Sequence, residues 1–430
     1  MVLIVGGLLA VACGGDGGDE AATTTPTPVA TATTAPTATP APTATPVPTP
    51  TPDPVQVTGV VRSAVDGSPL ADAVVSAGDA TVTTGVDGSF SLAVPGDVAA
   101  VEVSRPVWRA AAVDVPSDGS VLAIELEPVV VRGLRVSQQV AADDEAFQAL
   151  LDLAEGTTVN TLVFDTKDEG DLVLYETDVA FAHEIDAVAP VYDPAERLAQ
   201  TRERGLYTVT RIVTFEDPVW ARAHPEAGLA GHWVDAADPG NWAYPLALAG
   251  EACAIGFDEV QFDYVRFPSG ETAARASSLV PQTEQERAAA IAGFLGEARA
   301  RLHPMGCGVS AAIFGIVMSS ATDERLGQTP ETISAVVDAV SPMVYPSHYG
   351  PGWLGFADPN DHPGPVVAHA LETGGPRMAP TSLMRPWIQG FYYNGSQVLA
   401  QIDEAEARGA GWIIWNFFGD YRRDWLPSAS

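Results

Sequence analysis

GFDEVQFDYVRFP, residues 256–268, reads as a short strand whose far end carries chemistry. Strand side chains alternate between two faces, so Glu259, Gln261 and Asp263 share one and Phe262 and Tyr264 the other. Asp263 lies nearest the C-terminal end of the polar face, where it reaches a pocket if the strand belongs to a barrel. Glu259 then sits deep. Outward from this string, apolar runs alternate with amphipathic segments. Strands are expected at residues 132–136, 161–165, 207–215, 257–264, 308–314, 339–345, 377–381 and 412–416, with helical segments between them. Two helix starts are well marked: Asp193-Pro194 with Glu196, and Thr329-Pro330-Glu331. Eight strands alternating with helices over about 300 residues predict an α/β chain with a (β/α)8 TIM barrel. The chain ends soon after strand eight, so something other than a full eighth helix is expected to cover that side.

In such a barrel, chemistry collects at the C-terminal strand ends. Those ends hold Asp165, Lys167 and Asp168 at strand two, Arg211 and Asp217 at strand three, and Gln261, Asp263 and Arg266 at strand four. Tyr345 and His348 follow strand six; Arg385, Trp387 and Gln389 are placed after strand seven; Trp415 and Asn416 end strand eight. Two carboxyl groups at one mouth, one protonated and one ionised, suit general acid–base or nucleophilic work. Asp263 is the expected ionised member, with Arg266 and Lys167 as its cations. Asp165 is favoured as the acid, with Asp168 and Asp217 as alternatives. The aromatic rings there could stack on the apolar face of a ligand, for which Trp233, Trp242, Tyr244, Tyr349 and Trp353 are further candidates, and the remaining polar groups would bind hydroxyls. Lys167 is the sole lysine of the 430 residues and stands among carboxylates. It is expected to order them or to tie down the strand-two loop. A Schiff-base role would need a depressed amine pKa, which neighbouring carboxylates oppose.

The strings FDTKDEG, TRIVTFEDP, GFDEVQFDYVRFP, VSPMVYPSHY, RPWIQGF and GWIIWN, in this order, resemble a bacterial family of TIM-barrel domains assigned to the glycoside hydrolases, once known only as a domain of unknown function. The resemblance spans residues 131–425. It implies sugar chemistry, and a distant likeness to the α-amylase and α-galactosidase barrels implies that Asp263 is the nucleophile. Unlike those barrels, strand five here (GVSAAIFG) ends without an acid.

Four segments are expected. Residues 1–13, MVLIVGGLLAVAC, have the apolar run and small-residue end of a secretory signal, and Ala10-Val11-Ala12-Cys13 resembles a lipobox that would lipidate Cys13. Residues 14–54 are a Thr/Pro-rich stalk that cannot repay the entropy of folding; as polyproline II at about 3.1 Å per residue it would hold a domain on the order of 100 Å from its anchor. Residues 55–130 alternate apolar and polar positions between Asp-Gly and Pro turns, as a small antiparallel β-sandwich does, and their G-V-V-x-x-x-x-G-S-P-L pattern is similar to the carboxypeptidase regulatory-like family. Residues 131–430 form the barrel.

A net charge of −33 leaves no means of neutralising nucleic-acid phosphates and argues against an anionic surface as ligand. The seven histidines show no metal-site spacing, so neither metal nor cofactor is expected. Cys253 and Cys307 precede adjacent strands and are expected to pair. The expectation is a monomeric glycoside hydrolase on the outer face of the membrane, lipid-anchored or secreted, acting on a poly- or oligosaccharide. The alternative is a glycan-binding or wall-attachment protein on the same scaffold.

Overall fold

The computed structural model describes residues 54–276 and 279–429. The expected signal, Cys13 and the stalk up to residue 53 lie outside the described residues. Seven strands come first: β1 (Pro54–Ser63), β2 (Val74–Ala77), β3 (Ala80–Thr83), β4 (Ser89–Pro95), β5 (Ala100–Ser104), β6 (Ala111–Asp114) and β7 (Leu122–Leu126). They form two sheets, ordered β4-β1-β7 and β3-β2-β5-β6. Alternation decides what they bury: Phe90, Leu92 and Val94 of β4 meet Leu122, Ile124 and Leu126 of β7 in one apolar core. The pairs are antiparallel except β1 with β7, which run parallel.

The barrel strands follow: β8 (Arg132–Val136), β9 (Thr161–Lys167), β10 (Tyr207–Val213), β11 (Glu259–Asp263), β12 (Gly308–Phe314), β13 (Ala339–Val344), β14 (Leu383–Met384), β15 (Trp387–Gln389) and β16 (Trp412–Trp415). All pair in parallel, and the ring closes through β12 with β13 and β16 with β8. Strand seven is the exception to the sequence reading. Residues 377–381 run from the end of a 3-10 helix (Gly375–Arg377) through a bend into a turn, and the strand is the interrupted pair β14 and β15, broken at Arg385-Pro386. Pro376 and Pro380 withhold amide donors from the earlier segment. Asp193 and Thr329 cap their helices as expected. In place of an eighth helix, the C-terminal tail lies across the barrel wall: Trp425 and Leu426 are buried, and the Arg423 guanidinium donates to the carbonyls of Leu153, Glu155 and Gly156 at the end of a helix.

A ladder of polar groups rises along the barrel axis. At its foot the Arg385 guanidinium donates to both Glu259 oxygens at 2.7 and 2.8 Å, and Ser310 and Tyr207 hydroxyls donate to the same carboxylate. One layer up, Trp387 Nε1 donates to Gln261 at 2.8 Å and Gln261 donates to Ser341 at 3.0 Å. Cys253 and Cys307 are joined by a disulfide with Cα atoms 5.9 Å apart, bridging the lead-ins to β11 and β12.

The sandwich stoppers the lower end of the barrel. Val107, with φ +62°, packs so closely on Gly308 that a Cβ there would lie 2.7 Å from its methyl. Beside it the buried Arg105 guanidinium lies 3.5 Å from Asp338, a buried carboxylate that also pairs with His303 at 2.7 Å. Removing residues 54–128 should therefore lower the unfolding temperature of the remaining barrel. Arg105→Ala alone should cost about 2 kcal/mol in a denaturant titration, less than the 3–5 kcal/mol of a lone broken buried pair because His303 stays. An unchanged midpoint for both would show the sandwich to be a mere spacer.

Candidate active site

The mouth of the barrel holds a cavity of about 900 Å³ divided into two halves. One wall, from the ends of β8 to β11, is charged: Arg135, Asp168, Glu169, Arg211, Asp263 and Arg266. The other, from the ends of β12 to β16, is aromatic and apolar: Phe314, Tyr345, His348, Tyr349, Trp353, Phe391, Trp415 and Phe417.

Arg211 organises the charged wall. It projects from β10 into the barrel interior and spends all three nitrogens on carboxylates: Nε reaches Asp263 at 2.8 Å, Nη1 reaches Asp165 at 3.0 Å, and Nη2 reaches Glu169 at 2.5 Å. Nη2 is also 2.7 Å from Asp263 Oδ2 and 2.5 Å from Glu169 Oε1, so those two oxygens are at most about 5.2 Å apart, the sum of the two. Arg135 holds the other oxygen of Asp165 at 2.6 Å, and both guanidiniums lie against the Trp415 ring, at 4.2 and 4.8 Å from its centre. Asp263 Oδ1 accepts the Tyr264 amide at 2.7 Å. Tyr264 has φ +51°, a left-handed conformation that costs a tyrosine about 1–3 kcal/mol and marks functional turns.

The acids differ in setting. Burial raises the pKa of Asp168, whose Oδ1 accepts the Gly170 amide at 2.9 Å. For Glu169 burial pulls upward, but Arg211 and Arg135 outweigh it and hold the carboxyl below its ordinary range. Burial also raises Asp165 against the pull of the same two guanidiniums. The Asp165 side chain is 0% exposed with both oxygens capped, so it cannot reach a substrate. The carboxyl that faces the cavity and is shifted toward keeping its proton is Asp168.

Of the residues expected at the mouth, Asp168, Arg211, Asp263, Arg266, Tyr345, His348 and Trp415 line the cavity. Lys167 does not. At the end of β9 the register slips, so Arg211 pairs with Asp165 but the next residue, Ile212, pairs with Lys167. This bulge at Thr166 turns Lys167 out of the barrel. There its ammonium, 1% exposed, meets Asp217 at 3.0 Å and the Val213 carbonyl at 2.9 Å, and Asp217 caps the next helix through the Trp220 amide. Both residues are thus removed from the site. Gln261 lies mid-strand in β11, and Arg385, Trp387 and Gln389 lie within the barrel stave because strand seven begins later than expected; all four are buried. Asn416 binds loop backbone, through Gly390, Phe418 and Asp420. The cation of Asp263 is Arg211, since Arg266 instead binds the Phe267 carbonyl and stacks on Trp233. Trp242 and Tyr244 pack against the outer core. Sequence reasoning did not single out Arg135, Tyr264, Phe391 or Phe417. Arg135 alone had a signal, as a charged residue near the C-terminal end of strand one. Among the described residues no group of His, Cys, Asp or Glu is placed to hold a metal ion.

Beside the main cavity, Asp171, Glu216 and His232 line a smaller one of about 190 Å³. Burial, then the carboxylates of Asp217, Glu216 and Asp168, push Asp171 up to about 7 against the pull of Lys167. An acid whose folded pKa exceeds its unfolded value near 3.8 contributes stability that is full below that value and lost as pH rises through about 7. Asp171→Asn should therefore unfold with the parent near pH 4 and several degrees above it at pH 8 in a calorimetric scan. An equal difference at both pH values would refute the shift.

Residues 133–421 match the family described as "Putative glycosyl hydrolase domain". Among solved structures, a hypothetical protein from Ruminiclostridium thermocellum ATCC 27405 is 30% identical over 41% of this chain and 96% of that one, with a TM-score of 0.36. The PgaB (BpsB) glycoside hydrolase domain from Bordetella bronchiseptica is 12% identical over 67% of this chain and 95% of that one, with a TM-score of 0.51, a likeness of fold. No curated protein matches the chain. The family match covers every barrel strand from Gly133 of β8 onward and both walls of the cavity, and over that span the chain belongs to this glycosyl hydrolase domain family.

Proposed function

We propose that the barrel hydrolyses glycosidic bonds of a poly- or oligosaccharide with Asp263 and Asp168 as the working carboxyl pair. The observation that carries this is their common placement on the charged wall of the mouth cavity, opposite an aromatic wall suited to the apolar face of a sugar ring. Asp168, shifted toward its protonated form, gives its proton to the departing glycosidic oxygen. Asp263, fixed by Arg211 and the Tyr264 amide, attacks the anomeric carbon or activates water to do so. Arg211 and Arg135 offset the negative charge that several neighbouring carboxylates would otherwise concentrate there. The leader ending in Ala10-Val11-Ala12-Cys13 and the Thr/Pro stalk support a lipid-anchored placement on the outer face of the membrane.

A second reading, glycan binding without turnover, is favoured by one feature: β12 ends at the cavity in Phe314, followed by Gly315 and Ile316, and brings no carboxylate. Reducing-sugar release from soluble starch, xylan and peptidoglycan decides between the two. On a substrate the parent cleaves, Asp263→Asn should lower kcat on the order of 10⁴-fold, with circular dichroism showing a native fold. Asp168→Asn should lose about 10²–10⁴-fold on natural glycosides but far less on dinitrophenyl glycosides, whose leaving group needs no proton. Equal losses on both would remove Asp168 as the acid. No release by the parent, with one polymer still bound, would establish the binding protein.

A further inference from the structure

The cavity does not end at its rim. Phe391, on its aromatic wall, lies 5.3 Å from Tyr392 and 4.9 Å from Phe417, ring centre to ring centre. These neighbours carry the aromatic surface outward: Tyr392 is 87% exposed, Phe417 48%, and Phe418 beside it 73%. Large aromatics left open to water on adjoining loops mark a contact surface.

The loops that present them are held firmly. Asn416 donates to the Gly390 carbonyl at 3.1 Å and accepts the Phe418 amide at 3.1 Å, which ties the β15 and β16 loops together. Ser137 donates to the Phe418 carbonyl at 3.0 Å. Tyr392 keeps φ +63°, a conformation with a cost of about 1–3 kcal/mol that nothing in its own exposed side chain repays. A rigid, strained, solvent-facing ring is preorganised for a partner.

We infer that Tyr392 and Phe417 form an outer stacking platform for sugar units beyond the cleavage point, so that the substrate is a polymeric glycan threaded across the mouth. This rests on the hydrolase reading above for the inner site. Continuity with the cavity selects the occupant: a chain whose one unit sits between the charged and aromatic walls must lay its next units along Phe391 toward the exposed rings. Pyranose units suit it, having an apolar face for the ring and hydroxyls at the edge for water. A net charge of −33 disfavours an anionic lipid surface in the same place.

The test uses the full chain and Tyr392→Ala, with Tyr392→Trp as the conservative variant. On the polymer the parent cleaves (soluble starch, xylan or peptidoglycan), Tyr392→Ala should raise KM about tenfold relative to its KM on the corresponding nitrophenyl monoglycoside. kcat should hold, and Tyr392→Trp should restore the ratio. A ratio unchanged by Tyr392→Ala, or one that Tyr392→Trp fails to restore, would overturn the platform. Affinity electrophoresis in gels containing each polymer separates this from the inner-site reading. Retardation of the parent, lost in Tyr392→Ala, with no cleavage by either, would keep the platform and remove the hydrolase. Absence of both retardation and cleavage would remove both. Tyr392-dependent binding to phosphatidylcholine vesicles without retardation by any polymer would replace the glycan with a lipid surface.

Discussion

Everything at the mouth of this barrel depends on the Arg211 guanidinium. Asp165, Glu169 and Asp263 converge from two strands and a loop, and without a shared cation their mutual repulsion in a desolvated setting would drive them apart or protonate them. A guanidinium is suited to this because its planar fork offers donors in three directions at once, which an ammonium on a flexible stem does not. Arg135 shares the load from β8, two strands away, and Trp415 gives both cations an aromatic face to rest on. The geometry of Asp263 is therefore a property of a five-residue charge cluster rather than of its own strand alone.

The architecture was legible because β11 and its neighbours obey the period of a strand and the caps at Asp193 and Thr329 announce their helices. Asp263, Arg211, Tyr345 and Trp415 were legible for the same reason: alternation and position along a strand suffice to aim them. What failed were features set by a local break in that regularity. A bulge at Thr166 has no signature in FDTKDEG, yet it reverses the direction of Lys167 and with it the role of Asp217. A shift of a few residues in strand seven moved Arg385, Trp387 and Gln389 from the mouth to the interior. Choosing between Asp165 and Asp168 turned on which oxygens the arginines cover, and that belongs to tertiary structure alone.

The two ends of the barrel solve opposite problems. At the lower end the sandwich inserts Val107 and Arg105, closing the interior and keeping the polar ladder of Arg385, Glu259 and Gln261 dry. At the upper end the interior opens, and the same polar axis emerges as the charged wall. The sandwich is thus part of the enclosure that lets buried charge persist in the barrel.

The bulge at Thr166 also fixes how the mouth responds to acidity. By sending the chain's sole lysine to the outer side of the stave, it leaves the cavity with guanidiniums as its permanent cations. Guanidiniums hold their protons throughout the range in which proteins stay folded. The positive half of the site is in effect a constant field, and any alkaline limit on its working range must come from the carboxyl side, from His348, or from loss of the fold itself.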